Sequence, residues 1–246
     1  MKSKKDIIFN YIVGWGGVVK HFPIFNYNNK LLFFNLNKKY YFCNIIKNDI
    51  FMTIIYSNFG DMDTQLLQLI WEGLNPDRII EITHDTENYE DIVDEALISE
   101  NDTLIMCGHG TTQGLLHPNL DSGQYIIHEN NVHLIHARNV IGLWCYAADF
   151  AETHHLHGFF TGMFISNESE AEQHGITFAQ SDYDDIDIDI NQYGRYFSLQ
   201  LHNFIENNIP LNEWINILNN DGINHSNIIG NFNFNRMKYY DIQQNA

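Results

Sequence analysis

Two short motifs in this 246-residue chain carry residue types that can break an acyl bond. Thr103-Leu104-Ile105-Met106-Cys107 is an apolar run that leads into Gly108-His109-Gly110-Thr111, and Asn139-Val140-Ile141-Gly142-Leu143-Trp144 leads into Cys145. A Cys beside a His is the smallest nucleophile-and-base pair: imidazole favours the thiolate and later protonates a leaving amine. Gly110 lacks a side chain, which lets a backbone N–H approach a developing oxyanion. Cys107 lies on the apolar run itself and reads as a small buried hydrophobe.

The surrounding pattern says how such residues would meet. Thr53 to Ser57, Arg78 to Thr83, Thr103 to Cys107, Asn139 to Trp144 and Phe159 to Ile165 read as strands. Helical stripes fall between them, at Leu66 to Leu74 with Asp63 or Thr64 as N-cap, and at Tyr89 to Leu97. Gly114 to His117 and Gln124 to His128 flank the turn signal Asn119-Leu120-Asp121-Ser122-Gly123, a β-hairpin pattern, and a short helix is expected from Val132 to Arg138. Further helices are expected at Tyr193 to Ile205 and Trp214 to Leu218, while the stretch after Gly222 has weak periodicity. Strands alternating with helices predict an α/β fold with a mostly parallel sheet. In such sheets ligands sit beyond the carboxyl ends of the strands, so neighbouring strands would bring His109 and Cys145 to one edge.

The order of these elements resembles the caspase-like cysteine peptidases, the group of caspases, gingipains, clostripain-like enzymes and CHAT domains. The resemblance runs from about Met52 to Asn208 and rests on "LIMCGHG" and "VIGLWCYA". It implies a three-layer, Rossmann-like sandwich with a hairpin after the His strand. It also implies His109 as general base and acid, Cys145 as nucleophile, and the N–H groups of Gly110 and Cys145 as the oxyanion hole. No QACRG-type pentapeptide surrounds Cys145, so aspartate specificity does not follow. Trp144 stands where relatives often carry Ser or Ala, a bulk expected to narrow or cover the site.

The resemblance further places a specificity pocket near the nucleophile and the segment after strand five, where Asp149 and Asn167-Glu168-Ser169 are the candidates. A carboxylate there favours Arg or Lys before the scissile bond. Glu168 reads equally well as a first-turn acid of a helix. Asp182-Tyr183-Asp184-Asp185-Ile186-Asp187-Ile188-Asp189-Ile190 alternates with period two. As a strand it would align Asp185, Asp187 and Asp189, a row suited to calcium or a basic substrate chain, or else a charged edge that blocks pairing. His154, His155 and His157 invite a metal reading, with 154 and 157 at helical i, i+3 spacing; a polar, His-rich helix face is the other reading. No other cofactor is implied.

Composition bounds the functions. Thirteen Lys and Arg against 31 Asp and Glu give a net charge of −18, which disfavours nucleic acid and suits a cationic substrate or basic partner. Residues 1–51 are the exception, with eight Lys and two acids, and read as a basic, Asn- and aromatic-rich extension before an α/β domain at 52–246. A second methionine, Met52, marks that break and is an alternative start. No run reaches the roughly 18 apolar residues of a membrane span. Cys43, Cys107 and Cys145 make no CxxC pair, which points to a reducing, cytoplasmic setting. The expectation is a cysteine endopeptidase with a peptide or protein substrate. The alternative is an inactive module of the same fold, docking a basic partner through its acidic face.

Overall fold

A computed structural model describes residues 51–120, 123–176, 183–221 and 228–241, with the backbone alone at 183–189. The described residues lie within one compact unit, Asp49–Ala246. The expected extension at 1–51 falls outside the described residues, save Phe51.

Six strands form the main sheet: β1 (Met52–Ser57), β2 (Arg78–Ile82), β3 (Thr103–Cys107), β7 (Asn139–Leu143), β8 (Gly158–Phe160) and β9 (Lys238–Tyr240). Their spatial order is β2-β1-β3-β7-β8-β9. The first five are mutually parallel, and β9 closes the edge antiparallel to β8. A second, antiparallel sheet of β4 (Gly110–Thr111), β5 (Gly114–Leu116) and β6 (Tyr125–Ile127) leaves the main sheet just past β3.

Period-two alternation divides the buried side chains between two cores, as a sheet covered on both faces requires. Ile54, Tyr56, Ile105, Cys107, Ile141, Leu143 and Phe159 face one core. Ile55, Leu104, Met106, Val140 and Phe160 face the other. The first core is closed by α1 (Met62–Leu67), α4 (Glu168–Gln173), α5 (Tyr183–Glu206), α6 (Leu211–Asn219) and α7 (Ile228–Phe234). On α5, Ile190, Tyr193, Phe197, Leu201 and Phe204 supply the apolar stripe at helical spacing. The second core is closed by α2 (Tyr89–Ile98), α3 (Ala147–Thr153) and residues of the small sheet. The result is a three-layer α/β arrangement with a mostly parallel centre.

Several expected boundaries shift. The N-cap of α1 is Asp61 rather than Asp63 or Thr64, because its carboxylate accepts the Thr64 N–H at 2.8 Å. The helix expected to reach Leu74 ends at Leu67 and tightens into a 3-10 turn, Gln68–Ile70. From Val132 only one such turn forms, to Leu134. The fifth strand stops at Phe160: the Thr161 and Gly162 carbonyls accept the Ala148 and Tyr146 N–H groups at the start of α3, and farther on the Asn233 side chain holds the Ile165 backbone. The aspartate-rich run expected as a strand is helical from Tyr183 onward. Asp185 and Asp187 therefore do not form a strand's row of carboxylates, because period two is not a helical period. The weakly periodic C-terminal stretch supplies α7 and β9.

Candidate active site

The register of the central strands sets the site. Cys107 pairs with Leu143 across β3 and β7, so His109 and Cys145 each lie two residues past the paired ends. Gly108 makes the exit from β3 possible: its φ is +145°, and a Cβ there would lie 2.6 Å from the Ser57 Cβ. Its N–H donates to the Leu143 carbonyl at 3.1 Å, stitching the two strand ends together. His109 and Cys145 both line one largely apolar cavity of about 60 Å³, shared with α1, α5 and the 161–166 loop.

His109 is held from two sides. Its Nε2 lies 2.7 Å from Asp61 Oδ2, and Phe59 meets the ring edge-on with centroids 4.7 Å apart. The other Asp61 oxygen accepts from the Thr64 N–H and, at 2.7 Å, from its hydroxyl. Burial alone would raise the Asp61 carboxyl, but the Thr64 and His109 contacts outweigh it and hold the group below its ordinary range. An ionised carboxylate only accepts, so Nε2 carries the ring proton and Nδ1 is left as the basic nitrogen. Asp61 belongs to neither motif. Its position just past β1, the strand beside β3, was the signal that could have found it.

Cys145 sits at the sharp turn from β7 into α3. The next residue, Tyr146, adopts a left-handed φ of +67°, and its N–H donates to the Gly162 carbonyl at 3.0 Å. A bulky residue held in that region costs on the order of 1–3 kcal/mol, and such strain collects at functional turns. Among the described residues no hydrogen bond joins Cys145 to His109; the thiol instead donates to the Phe164 carbonyl at 3.5 Å. Burial pushes the thiol up to about 12, and the nearby Glu170 and Asp63 carboxylates push it the same way. Among the described residues the Cys145 N–H has no hydrogen-bond partner, which leaves it free for an oxyanion.

Trp144 lines the cavity, yet its ring is directed into the core on the other face of the sheet. It is 2% exposed and belongs to the opposite core, where its ring meets Phe150 and its indole N–H donates to the Thr111 carbonyl at 3.3 Å. The ring lies against Gly110, where a Cβ would come within 2.0 Å of Trp144 Cδ1. Gly110 thus has a packing reason to be glycine, besides any approach to an oxyanion.

The expected specificity residues are placed elsewhere. Asp149 is exposed on α3 and borders a separate groove with Arg236 and Lys238. It points away from the cavity because α3 buries Ala147, Ala148, Phe150 and Ala151 instead. Glu168 takes the first-turn position of α4, behind the Asn167 cap, and does not line the cavity. The side chains of Asp185 and Asp187 lie outside the described residues.

Among the described residues the acid that lines the cavity is Asp63, whose carboxyl is raised above its ordinary range by burial and by the neighbouring Asp61 and Glu170. It accepts from the Ser166 hydroxyl at 2.7 Å. Helix α3 ends at Thr153, so His154, His155 and His157 share no helical face. The His154 ring packs on Phe150, while His157 Nε2 lies 3.2 Å from the Arg138 carbonyl. Among the described residues no three His, Cys, Asp or Glu side chains converge as a metal site.

Comparison with protein-family models, curated proteins and solved structures finds no match to this chain. Among the described residues no helix is long and apolar enough to cross a membrane.

Proposed function

We propose that this chain is a caspase-like cysteine endopeptidase that uses Cys145 and His109 and cleaves after basic residues. The observation that carries the reading is the register: residues 36 positions apart arrive on one cavity because Cys107 pairs with Leu143. The small sheet after β3 and the strand-to-helix turn at Cys145 agree with the resemblance drawn from the motifs.

In this reading His109 Nδ1 takes the Cys145 proton as the thiolate attacks the scissile carbonyl carbon. The oxyanion is met by the Cys145 and Gly110 N–H groups. His109 returns the proton to the departing amine as the C–N bond breaks, leaving a thioester. Water then loses a proton to His109 and displaces the thiolate, releasing the acid. Asp61 keeps the imidazole in one tautomer throughout. Asp63 replaces Asp149 and Glu168 as the acid that meets the basic side chain.

Cys145→Ala should abolish cleavage of Lys- and Arg-containing peptides without loss of secondary structure. Undiminished cleavage by that variant would end the proposal.

The protonated thiol, bonded to a carbonyl rather than to His109, favours a second reading. Here the fold is a binding module whose acidic face docks a basic partner. That reading predicts partner binding indifferent to alkylation of Cys145. The two free cysteines of the described residues, Cys107 and Cys145, suit the reducing, cytoplasmic setting proposed for either.

A further inference from the structure

Of three consecutive residues in the loop after β8, the outer two contact the site and the middle one is held by a distant helix. The Phe164 carbonyl lies 3.5 Å from the Cys145 sulfur. A carbonyl oxygen can only accept, so this contact is with the S–H form and is lost by a thiolate. Ile165 is gripped by Asn233 from α7, which accepts its N–H at 2.7 Å and donates to its C=O at 3.1 Å. Ser166 holds the two nearest carboxylates: its hydroxyl reaches Asp63 at 2.7 Å and Glu170 at 3.1 Å, and its N–H donates to Glu170 at 2.9 Å.

Asn233 is 1% exposed, so a buried amide uses both of its polar atoms on one residue 68 positions away. Such a grip acts as a single-residue strand partner and fixes where Phe164 and Ser166 point. Burial, above all, disfavours a negative sulfur at this position. Asp63 on α1 and Glu170 on α4 are acidic and push the same way, and among the described residues no Lys or Arg lines the cavity. His109 gives its Nε2 to Asp61 and makes no hydrogen bond to the thiol among the described residues.

We propose that Phe164-Ile165-Ser166 is a latch that holds Cys145 as a neutral thiol, and that Asn233 is the positioning residue that keeps it shut. The latch rests on the reading of Cys145 as nucleophile, and it gives that site a resting state. Phe164 and Ser166 themselves line the cavity, so a substrate side chain entering it meets the latch directly. Opening withdraws the carbonyl acceptor and frees the thiol proton to pass to His109.

The test is the rate of iodoacetamide modification of Cys145 in the full chain from pH 6 to 9, resolved by peptide mass spectrometry. Wild type is compared with Asn233→Ala and Ser166→Ala, and protection of buried Cys107 reports that the fold is kept. The latch predicts modification at pH 7.5 faster by about tenfold or more in Asn233→Ala, as one unit of thiol pKa implies, with a smaller gain in Ser166→Ala. An unchanged rate and pH profile in Asn233→Ala with Cys107 still protected would overturn it. If Asn233→Ala exposes Cys107, Ser166→Ala decides: acceleration supports the latch and no change overturns it. A reactive Cys145 in the opened variant that still cleaves no peptide would leave the latch standing and remove the peptidase reading.

Discussion

At the scale of single residues, the site is organised by Asp61 as much as by the two motifs that announce it. One oxygen caps α1 through Thr64 and the other holds His109, so helix start and imidazole orientation depend on the same carboxylate. Asn is as good an N-cap as Asp, so Asp61→Asn should fold while losing control of the ring tautomer. Under the proposed mechanism kcat should fall by roughly 100-fold or more with KM little changed, and the pH profile of kcat should shift. Steady-state kinetics across pH will show it, and an unchanged kcat would mean that Asp61 serves only the helix. Stability carries a sign as well. The Asp61 carboxyl is held below its ordinary 3.8 in the folded chain, so its contribution is present at neutral pH. That contribution is lost as pH falls through the lowered value, so wild type and Asp61→Asn should converge in thermal midpoint in strong acid.

At the scale of elements, strands and their order were legible because buried parallel strands are nearly continuous apolar runs. Thr103–Cys107 matched to the residue, and Asn139 to Trp144 overran β7 by one. What was not legible depended on partners distant in sequence. The fifth strand ends early because the Thr161 and Gly162 carbonyls turn to the start of α3 and Asn233 then takes the Ile165 backbone, and nothing nearby in sequence marks either. The Asp-Ile alternation from 182 to 190 has the period of a strand, yet the chain is helical from Tyr183, continuous with the apolar stripe of α5. The site residues divide in the same way. His109 and Cys145 could be named because strand ends are where parallel sheets place chemistry. Asp63 and Ser166 meet only through a contact spanning 103 residues. Gly110 tests the packing between elements. Ala there would drive a Cβ into Trp144 and also within 2.7 Å of the Gly114 carbonyl. Gly110→Ala should destabilise the domain by about 1–3 kcal/mol, read from denaturant unfolding. Wild-type stability in that variant would show that β4 and Trp144 can part without cost.

At the scale of the molecule, the chain presents 31 acidic residues against 13 basic ones around a site that itself contains Asp61, Asp63 and Glu170. Such a field attracts a cationic peptide from a distance, and salt screens it over about 8–10 Å. Cleavage of Lys- or Arg-containing peptides should lose kcat/KM as ionic strength rises from 20 to 300 mM, whereas peptides with a neutral residue before the cut should respond little. Equal salt responses would remove the acidic surface from substrate selection. The sheet supplies the rigid part of the machine, through strands β1, β3 and β7 buried on both faces. Under the proposed latch, the loop after β8 and helix α7 are the part that shifts.

The pairing of Cys145 with His109 is the central claim, and a peptide ketone electrophile ending in Lys or Arg tests it most directly. Incubated with the full chain and mapped by mass spectrometry, it should form a thioether with Cys145, and His109→Ala should slow that by at least about tenfold. Labelling at the same rate without His109, or no labelling of Cys145 in the folded chain, would contradict it.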